Sequence, residues 1–224
     1  RFTSPQSPLE MLTLSSTRLS STYYKVRVGG DAAMVKGIMK SLLSLHNEAL
    51  SKGEKGVIDE AFIAEHTQGF EELKADLEAT DWADIERVSG LSHKDILHIA
   101  RLYAKAERTI LCHGMGITQH QYGTKNVQQL ANLMLMRSNI GKKGAGICPL
   151  RGHSNVQGDR TVGITEIPNQ ALLDGIERTF GFTPPTKHGH GAVATIRAMH
   201  EGKAKALFCL GGNLPVAMPE PETC

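Results

Sequence analysis

Aromatic residues make up only 5% of the 224-residue chain, and the formal net charge is no more than +2. Few stacking platforms and no marked basic excess argue against nucleic acid as a partner. No apolar run approaches the roughly 18 residues that a membrane span requires. The four cysteines, Cys112, Cys148, Cys209 and Cys224, contain no C-x-x-C pair, so spacing signals neither a zinc site nor a redox dithiol. No signal peptide is recognisable, and scattered thiols then point to a reducing, cytoplasmic setting. Acid is missing too, but locally. From Arg108 to Gln157 there is no Asp or Glu, while Arg108, Lys125, Arg137, Lys142, Lys143 and Arg151 all fall within that stretch, together with nine Asn or Gln.

What is present is ordinary for a folded protein: 40% hydrophobic and 21% charged residues, enough for a core of one domain or parts of two. The chain opens on Arg1 rather than Met, which leads us to expect a piece of a longer polypeptide.

Three stretches differ in character. Residues 1–23 hold ten Ser or Thr and read as a loop or crossing segment; Pro5, Pro8 and Glu10 argue against a targeting helix there. Residues 24–152 read as a partial dinucleotide-binding α/β domain. In it, Tyr24 to Val28 alternates like a short strand ending at Gly29-Gly30, and Met34, Ile38, Leu42 and Leu45 recur at helical spacing over 31–52. Short helices follow over 59–88, with Phe62, Phe70, Leu73 and Trp82 as expected buried anchors. A helix from Ser92 to Ala106 then leads into an apolar strand, Thr109 to Cys112, and a further helix covers about 124–137. Helix followed by strand suggests an α/β fold built on parallel-sheet αβα layers. Residues 153–224 read as part of a second α/β domain, with a helix over 192–201 and a strand over 206–210.

Three glycine-bearing segments are candidate ligand loops. His113-Gly114-Met115-Gly116-Ile117-Thr118-Gln119 directly follows a strand, where open α/β folds bind ligands and where glycines let backbone N–H groups approach phosphate oxygens. It lacks the third glycine of the dinucleotide fingerprint, so a plain tight turn is the alternative. Gly141 to Gly158, GKKGAGICPLRGHSNVQG, closes the acid-free stretch, and Arg151 offers a planar fork for a carboxylate or phosphate. It is neither a Walker A loop nor a nucleophile elbow. Leu210-Gly211-Gly212-Asn213-Leu214-Pro215 is the third, read equally as a glycine turn with an Asn cap. His188 and His190 have no clustered partners, so no metal ligand is assigned in the chain.

Taken together, HGMGITQ, then a helix, then NIGKKGAGICPLRGHSNVQGDRTVG, then LFCLGGNLP resemble the large subunits of molybdopterin oxidoreductases of the DMSO reductase family. The nearest resemblance is to the formate dehydrogenase H-like branch associated with acid resistance. It runs from about Tyr24 to Pro215, and PLRGHSNVQG is its most specific part. It implies a molybdenum or tungsten bis(molybdopterin guanine dinucleotide) cofactor. Gly114, Met115, Gly116, Thr118 and Gln119 would then line one dinucleotide. Arg151, Gly152, His153, Asn155, Gln157 and Gly158 would lie near the pterin and metal, and Gly211, Gly212, Asn213 and Pro215 near the other dinucleotide. The resemblance makes Arg151 and His153 the catalytic candidates, with Arg151 orienting formate or another small anion; the formate dehydrogenases carry Gln where His153 stands. A 4Fe-4S cluster and the metal's own protein ligand are expected outside these residues, and the resemblance names no electron-transfer partner. The piece alone is expected to be inactive and to be open to self-association. The competing readings are a structural homologue without metal, as in the large subunit of respiratory NADH dehydrogenase, and a generic mononucleotide-binding domain.

Overall fold

The structure, a computed structural model, describes residues 2–153, 155–165, 167–209, 211–218 and 222. It is a helix-rich α/β fold that divides into two compact units, Arg1–Gly152 and His153–Cys224.

The first unit opens with an antiparallel strand pair, β1 (Phe2–Ser4) and β2 (Thr17–Ser20), around the short helix α1 (Pro8–Leu12). The composition of this stretch suggests a loop, yet local hydrogen bonding gives it form. Ser7 caps α1 by accepting from the Glu10 N–H at 3.2 Å, Pro8 takes the first-turn position, and Glu10 reaches back to the Gln6 N–H at 2.8 Å. The expected strand at Tyr24 to Val28 does not pair in a sheet. Its alternation holds as far as Val26, because Tyr24 and Val26 pack on the core while Lys25 and Arg27 face solvent and the Arg27 N–H bonds Ser89 O at 2.8 Å, but Val28 is 92% exposed.

Helix α2 (Asp31–Ser51) is the hub of this unit. It buries Val35, Ile38, Met39, Leu42 and Leu43, each contributing about 1.5–3 kcal/mol relative to exposure, against α4 (Phe70–Ala79), α5 (Trp82–Ser89), α6 (His93–Lys105) and α8 (Gly123–Leu135). Gly37 permits the close approach, since a Cβ there would stand 2.9 Å from Ile85 Cγ2. Lys40 donates to the Leu77 and Glu78 carbonyls at the end of α4, at 2.8 and 3.0 Å, where a cation suits the helix dipole.

The anchors over 59–88 differ from expectation. Ile63 in α3 (Glu60–His66), Leu77 and Ile85 are the buried residues, whereas Phe62, Phe70, Leu73 and Trp82 are half-buried at the margin. Phe70, Leu73 and Trp82 pack against the edge of the core, and Trp82 stacks on His93 at 3.8 Å between centroids. Helix α6 starts where Ser92 accepts from the Asp95 N–H at 3.2 Å.

Strand β3 (Ile110–His113) pairs in parallel with β4 (Gly146–Pro149), and the crossover between them carries α7 (Met115–Thr118) and α8. A buried polar knot fastens this crossover. Asn139 accepts from the Thr109 N–H at 3.2 Å and donates to Tyr103 Oη at 3.1 Å, and Tyr103 donates to Leu133 O at 3.1 Å. Arg137 donates to Val57, Ala104 and Ala106 carbonyls at 2.7 to 3.2 Å and lies over the Tyr103 ring.

The second unit holds α9 (Val156–Thr161), α10 (Gln170–Phe180), α11 (Ala192–His200) and α12 (Leu214–Ala217). The expected strand over 206–210 is not formed at 206–209, and Leu210 lies outside the described residues. With no neighbouring strand among the described residues to pair with, the apolar run stays open, and Phe208 is 89% exposed. Among the described residues no helix is long and apolar enough to cross a membrane.

Candidate functional site

Two of the three candidate loops are neighbours because β3 and β4 are parallel and in register, Ile110 with Gly146 through His113 with Pro149. Parallel strands release their chains at the same edge, so His113-Gly114 and Leu150-Arg151-Gly152 leave side by side. The ladder continues one step into the loops, where the Leu150 N–H donates to His113 O at 2.7 Å.

The first loop folds at once into the single turn of α7. The Ile117 N–H bonds Gly114 O at 3.1 Å, the Gln119 N–H bonds Met115 O at 2.8 Å, and the buried Asn126 donates from Nδ2 to Ile117 O at 3.1 Å. Gly123 has no room for a side chain, since its Cβ would sit 2.0 Å from Thr118 O. The result holds Gly114 half-buried and presents Met115, Gly116, Thr118 and Gln119 to solvent. Across the gap, a Cβ on Gly152 would stand 3.2 Å from Met115 Sδ, so glycine sets how closely the two loops approach. Arg151 is exposed beside it.

Under these loops lies a group that the motif contains but spacing does not single out. His113 Nδ1 is buried without a hydrogen-bond partner, among few such side-chain atoms in the described residues.

The remaining candidates belong to the second unit. His153 is exposed, and Ser154 lies outside the described residues. Asn155 begins α9, its carbonyl accepting from the Asp159 N–H at 3.1 Å; its side chain lies over Gly158, where a Cβ would come within 2.1 Å of Asn155 Oδ1. Gln157 is exposed on the same helix. Gly211 has φ +74, in the region that favours glycine, and the Asn213 carbonyl accepts from the Val216 and Ala217 N–H groups at 3.2 and 3.0 Å, with Pro215 inside α12. Gly212 and Asn213 line an open depression of about 390 Å³ with His190, Thr195, Phe208 and Cys209.

Two larger hollows lie in the first unit. An apolar one of about 470 Å³ reaches the base of the first loop, lined by Met34, Ile38, Leu111, Leu130 and Met134 together with Cys112, His113 and Ile117, and is unsuited to a charged ligand. A polar one of about 850 Å³ is lined by His46, Asp59, Arg108, Arg137 and Lys142, near the start of β3 rather than its carboxyl end. Among the described residues no group of three His, Cys, Asp or Glu could hold a metal ion.

The sequence pattern of the molybdopterin oxidoreductases matches residues 20–222, nearly the whole chain. The chain belongs to the molybdopterin oxidoreductase family. Protein YdeP of Escherichia coli K12 is 57% identical over 222 residues, 99% of this chain and 29% of the relative. An uncharacterized oxidoreductase of Mycobacterium tuberculosis H37Rv is 35% identical over 202 residues, 90% of this chain and 25% of that protein. A putative formate dehydrogenase of Bacillus subtilis, YrhE, is 32% identical over 169 residues, covering 72% and 17%. The chain thus spans less than a third of the length of these relatives. Membership of the molybdopterin oxidoreductases implies the molybdenum bis(molybdopterin guanine dinucleotide) cofactor. The groups at the β3–β4 edge are chemically compatible with such a phosphate-bearing ligand: exposed glycine backbone, an orphaned imidazole nitrogen at His113, the Arg151 fork, and no carboxylate from Arg108 to Gln157 to repel an anion.

Proposed function

We propose that this chain is a central cofactor-binding segment of a molybdenum or tungsten oxidoreductase that oxidises a small acid, formate or a relative of it, by two electrons. The observation that carries this reading is the side-by-side exit of His113–Gln119 and Leu150–Gly152 from registered parallel strands inside an acid-free stretch. In this reading Gly114, Met115, Gly116, Thr118 and Gln119 line one dinucleotide, and Gly211, Gly212, Asn213 and Pro215 the other. Arg151, Gly152, His153, Asn155, Gln157 and Gly158 border the pterin.

When bound, the metal supplies the two-electron chemistry. The chain's own residues bind and orient. Arg151 offers two parallel N–H donors to a carboxylate, holding a small anion in one orientation, and its permanent charge keeps that anion ionised. His153, two positions further on, serves as a donor or acceptor in place of the Gln of the formate dehydrogenases, and tunes which acid is accepted. A 4Fe-4S centre carried by other parts of the polypeptide would supply the route for electrons. Free thiols at Cys112, Cys148 and Cys209 suit a reducing, cytoplasmic compartment.

The test is to purify the full-length protein from a host that loads a control molybdoenzyme, and to assay molybdenum, tungsten, iron and the GMP released by acid hydrolysis. About two GMP per metal is expected for a bis-dinucleotide cofactor. Absence of both metal and GMP overturns the reading in favour of a structural homologue.

A further inference from the structure

Cys112 and Cys148 are 36 residues apart in sequence, yet they are register partners on β3 and β4. Adjacent strands lie about 4.7–4.9 Å apart, inside the Cα separation that disulfides span. Registered residues of parallel strands point to the same face. Here that face is the open one: Cys112 and Cys148 are both exposed free thiols, while Leu111 and Ile147, one position away, are half-buried, Leu111 against the helical core. The Cys112 thiol is pushed up by desolvation around the sulfur, and the neighbouring Cys148 thiol adds to the effect.

We propose that Cys112 and Cys148 form an oxidation site, a vicinal dithiol that a hydroperoxide converts to a cross-strand disulfide. One thiolate attacks a peroxide oxygen, the O–O bond breaks, and hydroxide leaves a sulfenic acid behind. The second thiolate attacks that sulfur, forms the S–S bond and expels hydroxide. The thiol protons convert both hydroxides to water. Two electrons pass from the sulfurs to the peroxide, so hydrogen peroxide gives two waters and one disulfide. A thiol pushed up holds little thiolate at neutral pH, which makes closure slow there and faster as pH rises.

The bond would join the strands one residue before His113 and Pro149, at the base of both loops. Its formation therefore ties the His113–Gln119 loop to the Leu150–Gly152 loop by a covalent brace. The inference concerns thiol chemistry alone and stands whether or not the cofactor reading holds.

The experiment treats the full-length protein with hydrogen peroxide at pH 7 and pH 9, blocks remaining thiols with iodoacetamide, and maps peptides without reduction. The expected result is joint loss of labelling at Cys112 and Cys148 and a linked peptide pair two hydrogens lighter. Reductant restores both thiols, and closure is faster at pH 9. Cys112→Ser must abolish the linked pair while leaving the circular dichroism spectrum unchanged. Unchanged labelling at both positions, separate over-oxidation of each sulfur, or linkage to Cys209 or another chain overturns the proposal.

Discussion

Gly152 faces the sulfur of Met115 so closely that a Cβ would stand 3.2 Å from Sδ. The contact joins two loops that are adjacent only because β3 and β4 run in the same direction. Met115 is 50% exposed and flexible, so it can yield to a methyl group but not to a branched side chain. Gly152→Ala should leave the melting temperature within a few degrees of wild type. Gly152→Val should move Met115 and lower GMP content, and Met115→Ala in the same chain should restore part of it. GMP content equal in all three variants would remove this contact from cofactor binding.

Arg151 gives a kinetic prediction that follows from its proposed role. Arg151→Ala in the complete enzyme should lower kcat/KM by about a hundredfold or more, about 2.7 kcal/mol of transition-state stabilisation, while metal and GMP content stay nearly unchanged. Arg151→Lys should recover little, because an ammonium cannot supply the planar fork. Steady-state kinetics with formate and with larger carboxylates would measure both, and an unaltered kcat/KM would take Arg151 off the list.

Asn139 and Tyr103 make a stability prediction. Asn139 is fully buried and bonds both the Thr109 N–H and Tyr103 Oη. Asn139→Ala orphans a backbone donor and should cost about 1–3 kcal/mol in a urea titration. Burial pushes the Tyr103 phenol up, outweighing the opposing effects of Asn139 and Arg137. A raised phenol favours the neutral form in the folded state. Its stabilisation is therefore complete below the unfolded value of about 10 and is lost as pH climbs through the folded one. Tyr103→Phe should flatten the alkaline limb of a plot of stability against pH.

Asp59 sets the opposite limb. The Ser138 hydroxyl and the Phe62 N–H, the latter at 3.1 Å, hold its carboxyl below the usual value. The corresponding stabilisation is present above about pH 4 and fades as pH falls through the lowered value. Asp59→Asn should lose this acid dependence and Asp59→Ala should cost about 1 kcal/mol at neutral pH through the helix cap. Melting temperatures at pH 3.5 and pH 7 would show whether the difference between variant and parent shrinks in acid.

Local rules explain why some of this fold was legible in the residues. The 3.6-residue recurrence of Met34, Ile38, Leu42 and Leu45 marks α2, and Ser92 marks the start of α6, because both signals lie within a turn or two of the element they make. The strand assigned to Tyr24–Val28 shows the limit of such rules. Alternation reports which side chains are buried, correctly for Tyr24 and Val26 but not for Val28, and it carries no information about whether a partner strand is within reach. For the candidate site the same boundary applies. The glycine loops are readable as motifs; their adjacency at the β3–β4 edge, the orphaned His113 nitrogen and the Cys112–Cys148 pairing arise from long-range contacts, which spacing cannot encode. Ser7, Pro8 and Glu10 carry the local signal of a helix cap, set within a Ser- and Thr-rich stretch whose composition is that of a loop.

The central position of α2 has a consequence for how the chain acquires its fold during synthesis. Its apolar face is complete once Ser51 has emerged, yet α8, one of the helices that covers it, ends only at Leu135. At about 5–20 residues per second, roughly 80 intervening residues take about 4–16 seconds to translate. For that interval Val35, Ile38 and Leu42 lack part of their eventual cover, and a nascent chain paused between α6 and β3 should be a preferred substrate for a ribosome-bound chaperone.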